Sequence, residues 1–258
     1  MQSFTFDGTF DGLLTVVATV DHAGMDPGDV VVRSSNQSSG GELDLFQARA
    51  VATSRDQGRW VMDRLKSVEK GRPLRFAKSA FFHRNPKRWT WIVRFLAVAL
   101  RCPERVRDRR FEASAKVLQL SHEVRQETHR LKGLVRFQEI DGGLLWATIT
   151  PDHDVVRLVY PYFSKRMPGE VWILFDARRG IGLRHDVGED RPQEVTVPDE
   201  IRQEMLKHGE LPKNIASSDS YFDLWRTFFD AISIEDRKNP RLQRQCMPQR
   251  YWRNLPEK

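Results

Sequence analysis

Cysteine is scarce: the chain of 258 residues has two, Cys102 and Cys246, far apart and outside any CxxC pair. That spacing argues against a disulfide framework, an all-cysteine zinc site or a thiolate-held iron–sulfur cluster. Two reduced, packed thiols are expected instead. Long hydrophobic runs are also missing. The longest, Trp89 to Leu100, is interrupted by Arg94 and falls well short of the roughly 20 apolar residues needed to span a bilayer. The opening MQSFTFDGTF has no basic stretch followed by an apolar one, so no secretory signal is expected. A cytoplasmic protein without a membrane partner follows. No GxxxxGK[ST] loop, dinucleotide fingerprint or GxSxG elbow occurs. His122-Glu123 resembles the start of a zinc-protease helix, but Gln126 stands where the second histidine would be. The zinc deaminase pairing of a histidine with a later PCxxC is missing too. No metal and no cofactor are therefore expected.

Positive charge is abundant. The formal net charge is +7, with 30% charged and 40% hydrophobic residues, enough for a sizeable core. The location of the charge says more than its sum. Arg72, Arg75, Lys78, Arg84, Lys87, Arg88, Arg94, Arg101, Arg105, Arg107, Arg109 and Arg110 are opposed locally only by Glu104 and Asp108. A second basic block, Arg237 to Lys258, contains Glu257 as its single acid. Arginine dominates both, and its planar fork suits phosphate. Two separated basic blocks point to a polyanionic partner.

Hydrophobic periodicity gives a coarse plan. Ser3 to Phe6 alternates as a strand, and Leu13, Leu14, Val16, Val17 and Val20 predict a helix, so residues 1–20 form a strand–helix unit. Glycines, a proline and a serine-rich run make 21–44 a flexible linker. Residues 45–258 form the main domain with a basic C-terminal tail, one composite domain overall. Within it, Phe46 to Thr53 suggests a strand. Ser54-Arg55-Asp56-Gln57 fits a capping box opening a helix to about Glu69. Two helices follow, Leu74–Phe82 and Lys87–Arg101, the second carrying the apolar run from Trp89 as a core helix, and a longer one spans about Phe111 to Lys132. There Ala113, Val117, Leu120, Val124 and Leu131 make an apolar stripe, with Gly133 placed as a C-terminal cap. Beyond Gly133 the period becomes two. Leu134–Ile140 and Leu144–Thr150 flank Asp141-Gly142-Gly143, and Val171–Ala177 and Ile181–Val187 flank Arg178-Arg179-Gly180, which gives two hairpins. Helical character is expected in part of Val155–Arg166, near Ile201–Lys207 and over Tyr221–Ile232. The fold class is α+β: a small antiparallel sheet built from two hairpins, surrounded by helices.

The run Thr128-His129-Arg130-Leu131-Lys132-Gly133-Leu134-Val135-Arg136-Phe137-Gln138-Glu139 carries a resemblance. So do Pro151-Asp152-His153, Arg178-Arg179 after Trp172–Asp176, and the tail Asn239–Gln245 with Met247-Pro248 and Arg250-Tyr251-Trp252. With the opening Phe6–Gly12, these motifs resemble a bacterial family of probable DNA metabolism proteins, catalogued as domain-of-unknown-function family 4130. The resemblance implies work on DNA. Its members are often encoded beside a radical-SAM protein and often fused to a uracil-DNA-glycosylase-like domain. This chain shows neither that domain nor a radical-SAM cysteine triad, so such activities would come from partner proteins.

Two functions stay open. One is a DNA-binding accessory protein in repair or modification, acting with a glycosylase-like or radical-SAM partner. The other is an enzyme acting on a DNA base or sugar through a His/Asp site. For the second, His129 and His153 could exchange protons near neutral pH, with Asp152 or Glu139 orienting an imidazole or serving as base. For DNA contact the expected residues are Lys132, Arg136, Arg178, Arg179, Arg241, Arg244 and Arg250, with Tyr251 and Trp252 stacking on bases. Arginines interleaved with aromatic rings favour single-stranded or damaged DNA.

Overall fold

A computed structural model describes residues 1–35, 48–140, 143–208 and 240–255. The protein is α+β and divides into two compact units, residues 1–125 and 126–258, rather than the expected unit over 45–258. Among the described residues no helix is long and apolar enough to cross a membrane. The helix expected over Tyr221–Ile232 lies outside the described residues.

In the first unit β1 (Gln2–Phe6) is the middle strand of a three-stranded parallel sheet. Helix α1 (Phe10–His22) leads from it to β2 (Val30–Ser34), which pairs with β1 from Gln2↔Val30 to Phe6↔Ser34. The third strand, β3 (Arg49–Ala50), is shorter than the one expected over Phe46–Thr53. Residues 21–35 are thus not linker. The valine run at 30–32 is buried at Val30 and Val32, and its gain in packing outweighs the glycine- and proline-rich approach. The rest of the expected linker, 36–44, lies outside the described residues. Helices α2 (Arg55–Ser67), α3 (Arg72–Phe81) and α4 (Arg88–Arg101) complete the unit. The apolar run from Trp89 is the body of α4, with Ile92, Val93, Phe95 and Leu96 in the core beside Leu13, Leu14, Val16 and Val17. One arm of the capping box forms: Ser54 Oγ accepts from Gln57 N at 3.4 Å. Ser54 N instead donates to Thr15 Oγ1 at 3.1 Å.

The opening Phe6–Gly12 motif is a helix start. Thr9 is the N-cap of α1, its hydroxyl accepting from Gly12 N at 3.0 Å. Asp7 Oδ1 accepts from Thr9 N and Thr9 Oγ1 at 2.9 and 2.7 Å, and its Oδ2 accepts from Thr53 Oγ1 at 2.7 Å. A Cβ on Gly12 would meet Asp7 Oδ1 at 2.2 Å and Thr53 Oγ1 at 2.8 Å.

Helix α5 (Glu112–Leu134) contains the division at residue 125. Gly133 lies within its last turn, without the left-handed φ of a cap.

The second unit has a five-stranded sheet in the order β4-β5-β6-β7-β8. Both expected hairpins are there: β4 (Gln138–Ile140) with β5 (Leu144–Ile149), and β6 (Trp172–Asp176) with β7 (Ile181–His185), each antiparallel, although β4 is shorter than the expected Leu134–Ile140 because α5 continues through Leu134. They join through β5 and β6, which are parallel in the register Leu145↔Trp172. A parallel pair needs a crossover, supplied by α6 (Val156–Arg166). Strand β8 (Gln193–Val195) adds an edge, and α7 (Asp199–His208) and α8 (Pro240–Cys246) follow. Every residue of β6 is buried, as befits a strand covered on both faces. Trp172 meets Phe137, Tyr160, Phe163 and His185, while Ile173 and Phe175 cluster with Trp146 and Met205. Cys102 is half-buried but Cys246 is exposed, so only the first fits the packed thiols expected.

Two glycines test these placements with opposite signs. Gly12→Ala should lower unfolding free energy by about 1–3 kcal/mol or more, because its methyl group displaces the Asp7 carboxylate. Gly133→Ala, with nothing within 4 Å of the new Cβ, should raise it by about 0.5–1 kcal/mol. Denaturant unfolding of both variants measures the pair.

Candidate functional site

Glu127 occupies the apolar stripe of α5, three residues after Val124 and four before Leu131. Its side chain is 2% exposed. Burying a carboxylate costs several kcal/mol unless hydrogen bonds replace its lost water, as happens here. The Asp152 and His153 amides donate to Oε1 and Oε2 at 2.9 and 2.8 Å. The Tyr251 hydroxyl donates to Oε1, and Arg250 Nη2 stands 3.5 Å from the same atom. Arg250 Nη2 also donates to the Tyr251 oxygen at 2.9 Å. Burial, and then the bond to Glu127, pushes the Tyr251 phenol well above its ordinary value.

Next to Glu127, Asp152 joins two cations. Its Oδ1 accepts from Arg178 Nη1 at 2.8 Å, and its Oδ2 lies 3.1 Å from Arg250 Nη1. Behind it the β6–β7 turn is built on Asp176, which is fully buried. Asp176 Oδ1 accepts from the Arg178 and Arg179 amides at 3.0 and 3.2 Å, and Oδ2 from Arg179 Nη1 at 2.8 Å. Gly180 closes the turn at φ +72°, a value that favours glycine. Burial pushes the Asp176 carboxyl up against the pull of Arg179. Arg179 also donates to the Pro151 and Asp152 carbonyls at 3.2 and 2.7 Å. Glu127, Asp152 and Asp176 are thereby matched by Arg178, Arg179 and Arg250.

The residues expected to form a His/Asp site do not share one face. His129 is exposed and lies two residues from Glu127, about 200° around the helix. The α5 face directed at Asp152 therefore carries Glu127, not His129. His153 is buried at 7% exposure, and Glu139 is exposed on the short strand β4. Of the residues expected to contact DNA, Arg136 turns back on α5, donating to the Gly133 and Val135 carbonyls at 2.8 and 3.2 Å. The Lys132 ammonium lies 5.5 Å from the Tyr162 ring centroid. Tyr251, at 2% exposure, has no face open for a base, and Trp252 is half-buried with Nε1 donating to the Met247 carbonyl at 2.9 Å. Arg179 is largely turned inward. Arg178 and Arg250 are about half exposed, and Arg241 and Arg244 are exposed on α8.

A family model described as Domain of unknown function (DUF4130) matches residues 86–257. The chain belongs to this family. No curated protein and no solved structure matches the chain. The whole Glu127–Asp152–Asp176 network lies inside the DUF4130 region, whereas the Phe6–Gly12 motif lies outside it. Glu127 is not among the site residues expected from the sequence, although a charge at the stripe's own spacing is its signal.

Glu127→Ala should cost about 3–5 kcal/mol in denaturant unfolding, since it leaves two amides, a phenol and a guanidinium without their buried acceptor. Tyr251 adds a pH signature. A phenol whose pKa is raised by folding contributes stability that is complete below about 10 and is lost as pH rises above it, because the unfolded chain ionises first. Between pH 10 and 11.5 the wild type should therefore lose stability relative to Tyr251→Phe by about 1.4 kcal/mol per pH unit. Equal slopes for the two proteins would show that folding does not hold the phenol neutral.

Proposed function

We propose that this protein is a DNA-binding accessory factor in DNA repair or modification, delivering single-stranded or damaged DNA to a glycosylase-like or radical-SAM partner. The carrying observation is the pair of guanidiniums on Asp152. Arg178 and Arg250 are about half exposed, yet each is anchored on one oxygen of the same carboxylate. The Arg178 guanidinium donates through Nη1, and its other side-chain N–H groups have no acceptor among the described residues. Two arginines held in place lose little freedom on binding a phosphate and offer directed N–H groups to it. The exposed Arg241 and Arg244 extend the cationic surface of the tail. The net charge of +7 favours a polyanion, and the resemblance to DNA metabolism proteins selects DNA among polyanions.

The partner accounts for the chemistry. Asp152 is paired with two arginines, and the Glu127 oxygens are occupied by donors. Neither carboxylate is placed to act as a general base while those bonds persist.

Binding to a single-stranded oligonucleotide should weaken steeply with salt, each neutralised phosphate adding about −0.7 to the log–log slope. Arg178→Ala should flatten the slope by about one such increment while unfolding stability changes little. A slope near zero for the wild type would overturn the reading. Turnover of a DNA base or sugar by the isolated protein would favour an enzyme over a delivery factor.

A further inference from the structure

The first unit contains a groove of about 330 Å³ between α4, the start of α5 and the turn before β2. Two of its walls have the same construction. The Arg94 guanidinium lies 5.3 Å from the Trp91 ring centroid, and that of Arg105 lies 4.4 Å from the Phe111 centroid. A guanidinium lying over a ring still has N–H groups that can reach a further acceptor. Arg94 donates Nε to the Val30 carbonyl at 2.9 Å, and its terminal nitrogens have no acceptor among the described residues. The Arg105 guanidinium has no hydrogen bond among the described residues. Its neighbour Asp108 is taken by Arg110 at 2.7 Å. Arg101 also lines the groove but is used as scaffold, bound to Asp21 at 2.9 Å and to the Met25 and Val20 carbonyls at 2.7 and 3.1 Å.

The groove also contains acceptors. Asp26 and Glu112 line it and are exposed. One oxygen of Asp26 holds the Gly28 amide at 2.8 Å. A simple anion would meet these two carboxylates as repulsion and make no use of the Trp91 and Phe111 surface that lines the groove beside their arginines. An apolar ligand would leave both arginines without an acceptor. A ligand that suits every wall has an anionic end, a flat aromatic body and N–H donors on its edge.

We infer that the groove binds one nucleotide: its base against Trp91 and Phe111, its phosphate on Arg94 and Arg105, and the N–H edge of the base toward Asp26 and Glu112. The nucleotide is either free or an unstacked unit of single-stranded DNA. This site is separate from the Asp152-held arginines and does not depend on their binding DNA.

Calorimetric titration of the full chain with the four deoxynucleoside monophosphates, a short single-stranded oligonucleotide and inorganic phosphate tests the assignment. At least one mononucleotide should bind more tightly than phosphate. Trp91→Leu and Arg105→Ala should each weaken it about tenfold or more, the range of a lost base stack or charge contact. Trp91→Phe should retain most of the affinity, which guards against a simple folding defect, and Arg178→Ala should leave it unchanged. Oligonucleotide binding that shares the sensitivity to Trp91→Leu would identify a strand as the source. Sensitivity confined to the mononucleotide would identify the free compound. The inference is overturned if no mononucleotide binds at millimolar concentration, if phosphate binds as tightly, or if Trp91→Leu and Arg105→Ala bind both nucleotide probes as the wild type does.

Discussion

A carboxylate in an apolar stripe organises the second unit. Glu127 would be untenable at its depth without donors, and the donors come from two distant stretches: the 152–153 amides and the Arg250-Tyr251 pair. One side chain thus ties the loop after β5 and the C-terminal segment to the same point. The loop's position in turn presents the Pro151 and Asp152 carbonyls to Arg179. It also puts the Asp152 carboxylate within reach of Arg178 and Arg250. Loss of the first bond would be felt along this chain of contacts because its members share partners.

The same network separates arginines that look alike in sequence. Arg178 and Arg179 are neighbours in one turn, yet Arg179 binds the buried Asp176 and two carbonyls while Arg178 reaches outward past Asp152. The turn determines this difference, because successive side chains leave it in different directions. Ion pairing within the molecule leaves Arg179 structural and keeps Arg178 partly accessible.

The elements with a clean period were legible. The stripe of α5 and both hairpins follow from spacing and turn residues alone, as does the core helix beginning near Trp89. The parallel pairing of β5 with β6 was not legible, because strand order depends on which edges meet in space. Strand β2 was obscured by Gly28 and Pro27 just before it, although three consecutive valines are strong strand formers. At the site, Asp152 and the arginines were visible as motifs, but the choice of partner was not. A stripe counted by its apolar members alone leaves Glu127 out. The interruption carried the information: a charge on a buried face requires donors from elsewhere in the fold. His129 stood out by residue type, yet helix geometry turns it away from Asp152.

The outer edge of β2 has a consequence for how the protein behaves in a crowded solution. An open strand edge is a template on which another chain can add a strand. Here Thr90, from α4, accepts from Val32 N at 2.9 Å and donates to Val32 O at 3.1 Å, and Arg94 donates to the Val30 carbonyl at 2.9 Å. Side chains thus occupy backbone groups that a further strand would use. A helix has taken the place of a neighbour, so this margin of the parallel sheet is closed to self-association by strand addition.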